Sequence, residues 1–172
     1  KSNDDTLNLY AYKQQQLSQL MKNPGNGTRG KIGIPMVLNM YELLPFWHAF
    51  FTSLGFQVIV SPFSNRKLYQ AGQGSIPSDT VCFPAKLTHG HIMALLKKDV
   101  DAIFYPCMSY NIDEGLGDNH YNCPVVAYYP EVLAGNIREL EDTKFIYEYL
   151  NLEQRKDFVR VMPKIMQKYF PD

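Results

Sequence analysis

The chain has no apolar run long enough to cross a bilayer. Its longest apolar stretches, such as Ile32 to Val37 and Val125 to Tyr129, fall far short of the roughly 18–20 residues that a span requires. It has no excess of either charge, with 17 Lys and Arg against 17 Asp and Glu. Nor is any segment strongly polarised: basic and acidic residues number four and two over positions 1–30, seven and nine over 31–140, and six and six over 141–172. Nucleic acids and acidic membranes select basic patches, so neither is expected as a partner. Cysteine is scarce and odd in number, three in all with no C-x-x-C, which excludes a disulfide framework and leaves buried thiols, ligands or nucleophiles. The opening residues Lys1-Ser2-Asn3-Asp4-Asp5 offer neither an initiator Met nor a basic-then-apolar leader. The expectation is a piece of a longer cytoplasmic polypeptide.

What is present is enough for one core: 172 residues, 45% hydrophobic. Residues 4–22 are polar and glutamine-rich and run into Asn23-Pro24-Gly25-Asn26-Gly27-Thr28-Arg29-Gly30, a linker by composition. This reading makes 1–30 a tail from a preceding domain, removable at least to residue 28, with the α/β core over 31–140 and a helical extension over 141–172. From Lys31 onward, short apolar runs alternate with amphipathic stretches. Ile32–Leu38, Gln57–Val60, Val100–Tyr105 and Val125–Tyr129 read as strands. Asn39-Met40-Tyr41-Glu42 resembles a capping box, although Pro45 would equally suit the first turn of a helix. Trp47, Phe50, Phe51 and Leu54 form one apolar stripe ended by Gly55. Ser64 suits the cap of a short helix, and Pro84–Lys98 a longer one in which Gly90 would allow close helix approach. Asn151 with Gln154 resembles a second capping box, before a helix that Pro163 should kink. The rhythm predicts a three-layer, mainly parallel open sheet with helices on both faces, Rossmann-like in plan.

In such a sheet, ligands sit past the carboxyl ends of the strands. The loops there hold Asn39, Tyr41, Cys107 and the helix start Cys82-Phe83-Pro84-Ala85-Lys86, so Cys82 and Cys107 are expected to meet. Cys123 precedes the expected fourth strand; if that strand is parallel, its start lies at the opposite end of the sheet unless the preceding loop stays on top. His89 and His91, two apart, point to different sides of a helix and do not form a metal pair. His89 lies on the inner stripe. Lys86, in a first helical turn, opposes the macrodipole, a placement that suits contact with an anion. Composition alone makes the three cysteines structural, because Cys is among the most buried residues.

Several blocks together, Lys31-Ile32-Gly33-Ile34-Pro35, Leu38-Asn39-Met40-Tyr41-Glu42, Pro45-Phe46-Trp47, Val81-Cys82-Phe83-Pro84-Ala85-Lys86 with His89-Gly90-His91, Phe104-Tyr105-Pro106-Cys107 and Asn122-Cys123-Pro124-Val125-Val126, resemble the uncharacterised domain of large 2-hydroxyacyl-CoA dehydratase activator-related proteins. The glycine-rich ATP-binding elements of the activase portion are absent from this sequence. The resemblance implies a module that accompanies ATP-driven, low-potential electron transfer. By analogy with the dehydratase subunits it implies Cys82, Cys107 and Cys123 as ligands of an iron-sulfur cluster of the 4Fe-4S type, with Lys86, Asn39 and Tyr41 as cofactor-contacting residues. Thiolates are the soft ligands that iron clusters select. Implied partners are other domains of the same polypeptide and a dehydratase-like subunit. Two alternatives stand beside it: a non-catalytic docking module with buried thiols, and a thiol enzyme built on Cys107, for which the sequence offers no base at suitable spacing.

Overall fold

The computed structural model describes residues 7–171. Four parallel strands, β1 (Lys31–Ile34), β2 (Gln57–Val60), β3 (Ala102–Phe104) and β4 (Phe145–Ile146), lie in the order β2-β1-β3-β4. Before, between and after them run α1 (Leu9–Lys22), α2 (Asn39–Glu42), α3 (Leu44–Ser53), α4 (Arg66–Gly72), α5 (Phe83–Leu96), α6 (Pro124–Asn136) and α7 (Arg155–Tyr169), α1 preceding β1 and α7 following β4. β1 is central, pairing with β2 from Lys31 against Gln57 and with β3 from Ile32 against Ala102. Covered on both faces, Ile32, Ile34, Ile103 and Phe104 are fully buried, which is why β1 and β3 read as continuous apolar runs. The three-layer, Rossmann-like α/β expectation matches this arrangement. Among the described residues no helix is long and apolar enough to cross a membrane.

The two helical layers follow from the alternation of side chains along β3. Phe104 points to α3, its ring 4.7 Å from Trp47 and 4.9 Å from Phe51. Phe158 of α7 joins the same cluster against Trp47 and Phe50. On the opposite face, a side chain at Gly33 would meet Leu95 of α5 and Ile103. That face belongs to α5 and α6, with α4 lying across α5. The crossing of α4 over α5 brings backbone onto backbone: a Cβ on Gly90 would stand 2.1 Å from the Leu68 carbonyl oxygen, and one on Gly72 would stand 2.2 Å from the Gly90 nitrogen. Glycine at both positions is a steric requirement.

Several local expectations differ from the structure. Val125–Tyr129 is not a strand but the first turns of α6, and the fourth strand is the short β4. Its ladder continues beyond the two regular residues, since Cys107 N donates to Glu148 O and Leu150 N to Cys107 O. Asn39 does not cap α2; Leu38 does, with a φ of 50°. Pro45 instead occupies the first turn of α3, and Gly55 ends that helix with a φ of 87°. Asn65, not Ser64, caps α4 by accepting from Leu68 N. Asn151 accepts from Tyr110 N rather than capping α7, and α7 runs through Pro163 as one helix.

The segment before β1 is ordered against the domain. Leu17 of α1 is buried, the Asn23 carbonyl bonds His48 Nε2 at 2.8 Å, and Val58 N donates to the Pro24 carbonyl at 2.6 Å. Residues 141–171 likewise contribute β4 and α7, with Met162 and Ile165 in the core.

Candidate functional site at the carboxyl edge of the sheet

α5 and α6 both begin at the carboxyl edge, and each begins with a cysteine. Cys82 is the N-cap of α5 (φ −60°, ψ 150°) and Cys123 that of α6 (φ −61°, ψ 153°), each followed by proline in the first turn. Proline there lacks only an N–H that the helix would leave unpaired, so Cys-Phe-Pro and Cys-Pro are helix-start signals. Neither cysteine side chain caps its own helix, and both are exposed. The two helices are joined by one buried bond. His89, seven residues after Cys82, lies 3.0 Å through Nε2 from the hydroxyl of Tyr129, six residues after Cys123. Each capping cysteine stands at a helix N-terminus at the carboxyl edge, where free N–H groups and the helix dipole favour an anion. The objection to Cys123 raised by a parallel fourth strand disappears because the residues after it are helical.

Cys107 is elsewhere. It lies three residues beyond β3, bridged to Tyr149, and is fully buried. Burial pushes its thiol up to about 12, with the Glu131 carboxylate adding to the rise and the Glu131 backbone N–H opposing it. Glu131 lies eight residues into α6 from Cys123, about 12 Å along the axis at 1.5 Å per residue. Cys107 is a protonated, packed thiol in this arrangement. Among the described residues no three of His, Cys, Asp and Glu stand together as a site for a single metal ion.

Both core histidines are neutral members of hydrogen-bond chains. Ser75 Oγ donates to the Gly72 carbonyl and so accepts from His89 Nδ1, leaving His89 Nε2 to accept from Tyr129. Met36 N donates to Ser61 Oγ, which bonds His91 Nδ1 at 2.7 Å, and His91 Nε2 bonds Ser64 Oγ at 2.9 Å. Burial lowers both imidazoles to about 4. Neither is a free base or ligand. The first chain joins α5 to α6 and the second joins α5 to the loop after β2; His89 on the apolar stripe is the only sequence signal of either.

The remaining candidate residues occupy separate places. Lys86 Nζ bonds the Asp79 carbonyl at 2.7 Å, closing its own loop. Tyr41 lies beneath the Lys13 ammonium, 4.8 Å from the ring centre. Asn39 is buried at the start of α2, its amide donating to Met108 Sδ, while its Oδ1 is without a partner among the described residues. Tyr105 is also fully buried with an unpartnered hydroxyl. Burial raises that hydroxyl strongly, and the charges of Cys107, Tyr129 and Cys123 all bear on it. Buried orphan polar atoms are uncommon. A third, Trp47 Nε1, lies in the α3 cluster on the other face of the sheet, so such atoms are not confined to this edge.

The donor chemistry fits a sulfur-ligated iron cluster better than a hard cation. It combines two exposed thiols with two helix N-termini at the carboxyl edge.

The fold and the edge thus describe an α/β module in which two helices at the carboxyl edge each begin with an exposed cysteine. Over residues 31–170 the chain matches the family described as the CoA enzyme activase uncharacterised domain, and it belongs to that family. No curated protein and no solved structure matches it.

Proposed function

We propose that this domain serves a CoA enzyme activase as an accessory module that binds an iron-sulfur cluster, of the 4Fe-4S type, at the α5–α6 edge and takes part in low-potential electron transfer. Cys82 and Cys123 are its ligands from this chain. The observation that carries the reading is that α5 and α6, joined by the His89–Tyr129 bond, each begin with an exposed N-cap cysteine. Cys107, turned into α6, acts as a structural thiol, and the remaining coordination falls to other domains of the polypeptide, to a 2-hydroxyacyl-CoA dehydratase-like partner or to solvent thiol. When bound, the cluster supplies a one-electron couple; the chain supplies two thiolates, two helix dipoles and a dry floor.

Anaerobic incubation of the chain with iron and sulfide tests this. The expected product is brown, with broad thiolate-to-iron absorption that is lost in Cys82→Ser and in Cys123→Ser and retained in Cys107→Ser. No iron uptake by the wild type, or loss of colour confined to Cys107→Ser, would overturn it.

A second reading, a docking module without a cofactor, draws on an apolar groove of about 480 Å³ between α3 and α7, lined by Phe50, Leu54, Phe158, Met162 and Met166. A chain that binds no iron but holds a dehydratase-like subunit, and loses it on Met166→Glu, would favour that reading.

A further inference from the structure

β4 ends the sheet, and its ladder uses only half of its main-chain groups. The Lys144, Ile146 and Glu148 carbonyls accept from Ile103, Tyr105 and Cys107, and Leu150 N donates to the Cys107 carbonyl. Alternation along the strand turns the N–H and C=O groups of Phe145, Tyr147 and Tyr149 the other way, where they have no partner among the described residues. The usual guards of a sheet edge are missing here. No proline interrupts positions 143–150, and the Lys144 ammonium is folded back onto the Tyr169 carbonyl. A groove of about 270 Å³ lies beside the strand, lined by Ala134 of α6, Phe145, Tyr147 and Tyr169 of α7. Tyr147 and Tyr149 are 38% and 51% exposed. At the opposite edge of the sheet, by contrast, the Val58 N–H is taken by the Pro24 carbonyl.

We propose that β4 is the seam of a homodimer: β4 of a second copy adds antiparallel to this edge about a two-fold axis at Tyr147, joining the two sheets into one. A second copy fits because the segment is complementary to itself. Phe145, Tyr147 and Tyr149 share the side of the sheet that α6 covers, where Tyr149 meets Glu131. Pairing about Tyr147 sets Phe145 opposite Tyr149 of the second copy and Tyr147 opposite its own counterpart, aromatic pairs of the kind that stabilise sheets. The opposed pairs exchange about six main-chain bonds, two from each. On the other side of the sheet, Lys144 comes diagonal to Glu148 of the second copy, a pair of opposite charges. Lys168 and Tyr169 both use Glu148 Oε1, which leaves Oε2 for that contact. The inference is independent of the iron-sulfur reading, since neither Cys82 nor Cys123 takes part.

Sedimentation equilibrium of the chain over a rising concentration series, read together with amide hydrogen exchange, tests this. The wild type should pass from monomer to dimer, and the Tyr147 amide should exchange about tenfold or more slowly at the dimer end of the series. Tyr147→Lys sets two ammonium groups across the axis and touches no bond to β3, so it should stay monomeric with an unchanged far-UV spectrum. Should that variant fail to fold, the exchange comparison in the wild type decides. A wild type that is monomeric at every concentration would overturn the inference, whatever else then occupies the edge. So would a dimer in which the Tyr147 amide exchanges as fast as in the monomer, or a folded Tyr147→Lys that dimerises as well as the wild type. Either result would move the contact to another surface, such as the groove between α3 and α7.

Discussion

Substituting alanine for Gly90 isolates the contact that seats α5, the helix that carries Cys82. The new methyl would stand 2.1 Å from the Leu68 carbonyl oxygen and 2.7 Å from its carbon. Both belong to the backbone of α4, so no side-chain rotation relieves the clash. The helices must part by about 1 Å or more, which forfeits contacts along their crossing, as overpacked cores do at a cost of typically 1–3 kcal/mol and sometimes beyond. Alanine in place of glycine favours a helix by roughly 1 kcal/mol, which offsets part of this. The net expectation is a loss of about 2–3 kcal/mol, read as a lower urea midpoint with an unchanged slope. Gly135 of α6 is the matched control. A methyl there meets nothing within 4 Å, so Gly135→Ala should be neutral or stabilising by up to about 1 kcal/mol. If Gly90→Ala were as stable as the wild type, the backbone-on-backbone crossing of α4 and α5 would be refuted.

Trp47 is fully buried among Phe46, Phe50, Phe51, Phe104 and Phe158, so native emission should be blue-shifted and poorly quenched, and Trp47→Ala should cost roughly 3–5 kcal/mol in chemical denaturation. His89 faces Ser75 and Tyr129, and His91 faces Ser61 and Ser64; both are held at about 4 against 6.5 unfolded, so the unfolded chain binds their protons first as pH falls. Stability from these two groups is complete above about pH 6.5 and should decline by up to ~1.4 kcal/mol per pH unit for each histidine down to about pH 4, a slope that His91→Gln should reduce in pH-dependent urea melts. Removing residues 1–28 deletes the buried Leu17 and the carbonyls that serve His48 and Val58, so an unfolding free energy lower by about 3 kcal/mol is expected, against none for a true linker.

Much of this architecture was legible because burial on both faces leaves a plain trace. β1, β2 and β3 are short apolar runs, and the Trp47 stripe and Gly55 mark α3 at the periods and stops that helices require. α6 was misread because Val125, Val126, Tyr128 and Tyr129 are β-formers by propensity, whereas Val126, Tyr129, Pro130 and Leu133 recur at helical spacing and Cys-Pro opens the helix. Tertiary packing overrode propensity there, and with it went the placement of Cys123. β4 has two regular residues, too few for any period, and exists because the β3 backbone offers it partners. The packing of α1 was invisible for a similar reason: one buried leucine in a polar, glutamine-rich helix leaves almost no amphipathic signal. At the site, the two helix-cap cysteines share a motif that was readable in both places. The position of Cys107 against Glu131 depends on which way one side chain turns past the end of a strand, which spacing does not encode.

The outer edge of β2 shows how an open sheet remains unpaired. Val58 and Val60 point their backbone groups away from β1, a row that would template another strand. Here the Pro24 carbonyl takes the Val58 N–H, and the Lys98 ammonium, whose charge burial disfavours, takes the Val60 carbonyl at 2.8 Å. The turn-rich stretch before β1 is thus a guard strip. A chain shorn of it would present a bare, valine-lined ladder edge to its own copies, and the first symptom would be association rather than unfolding.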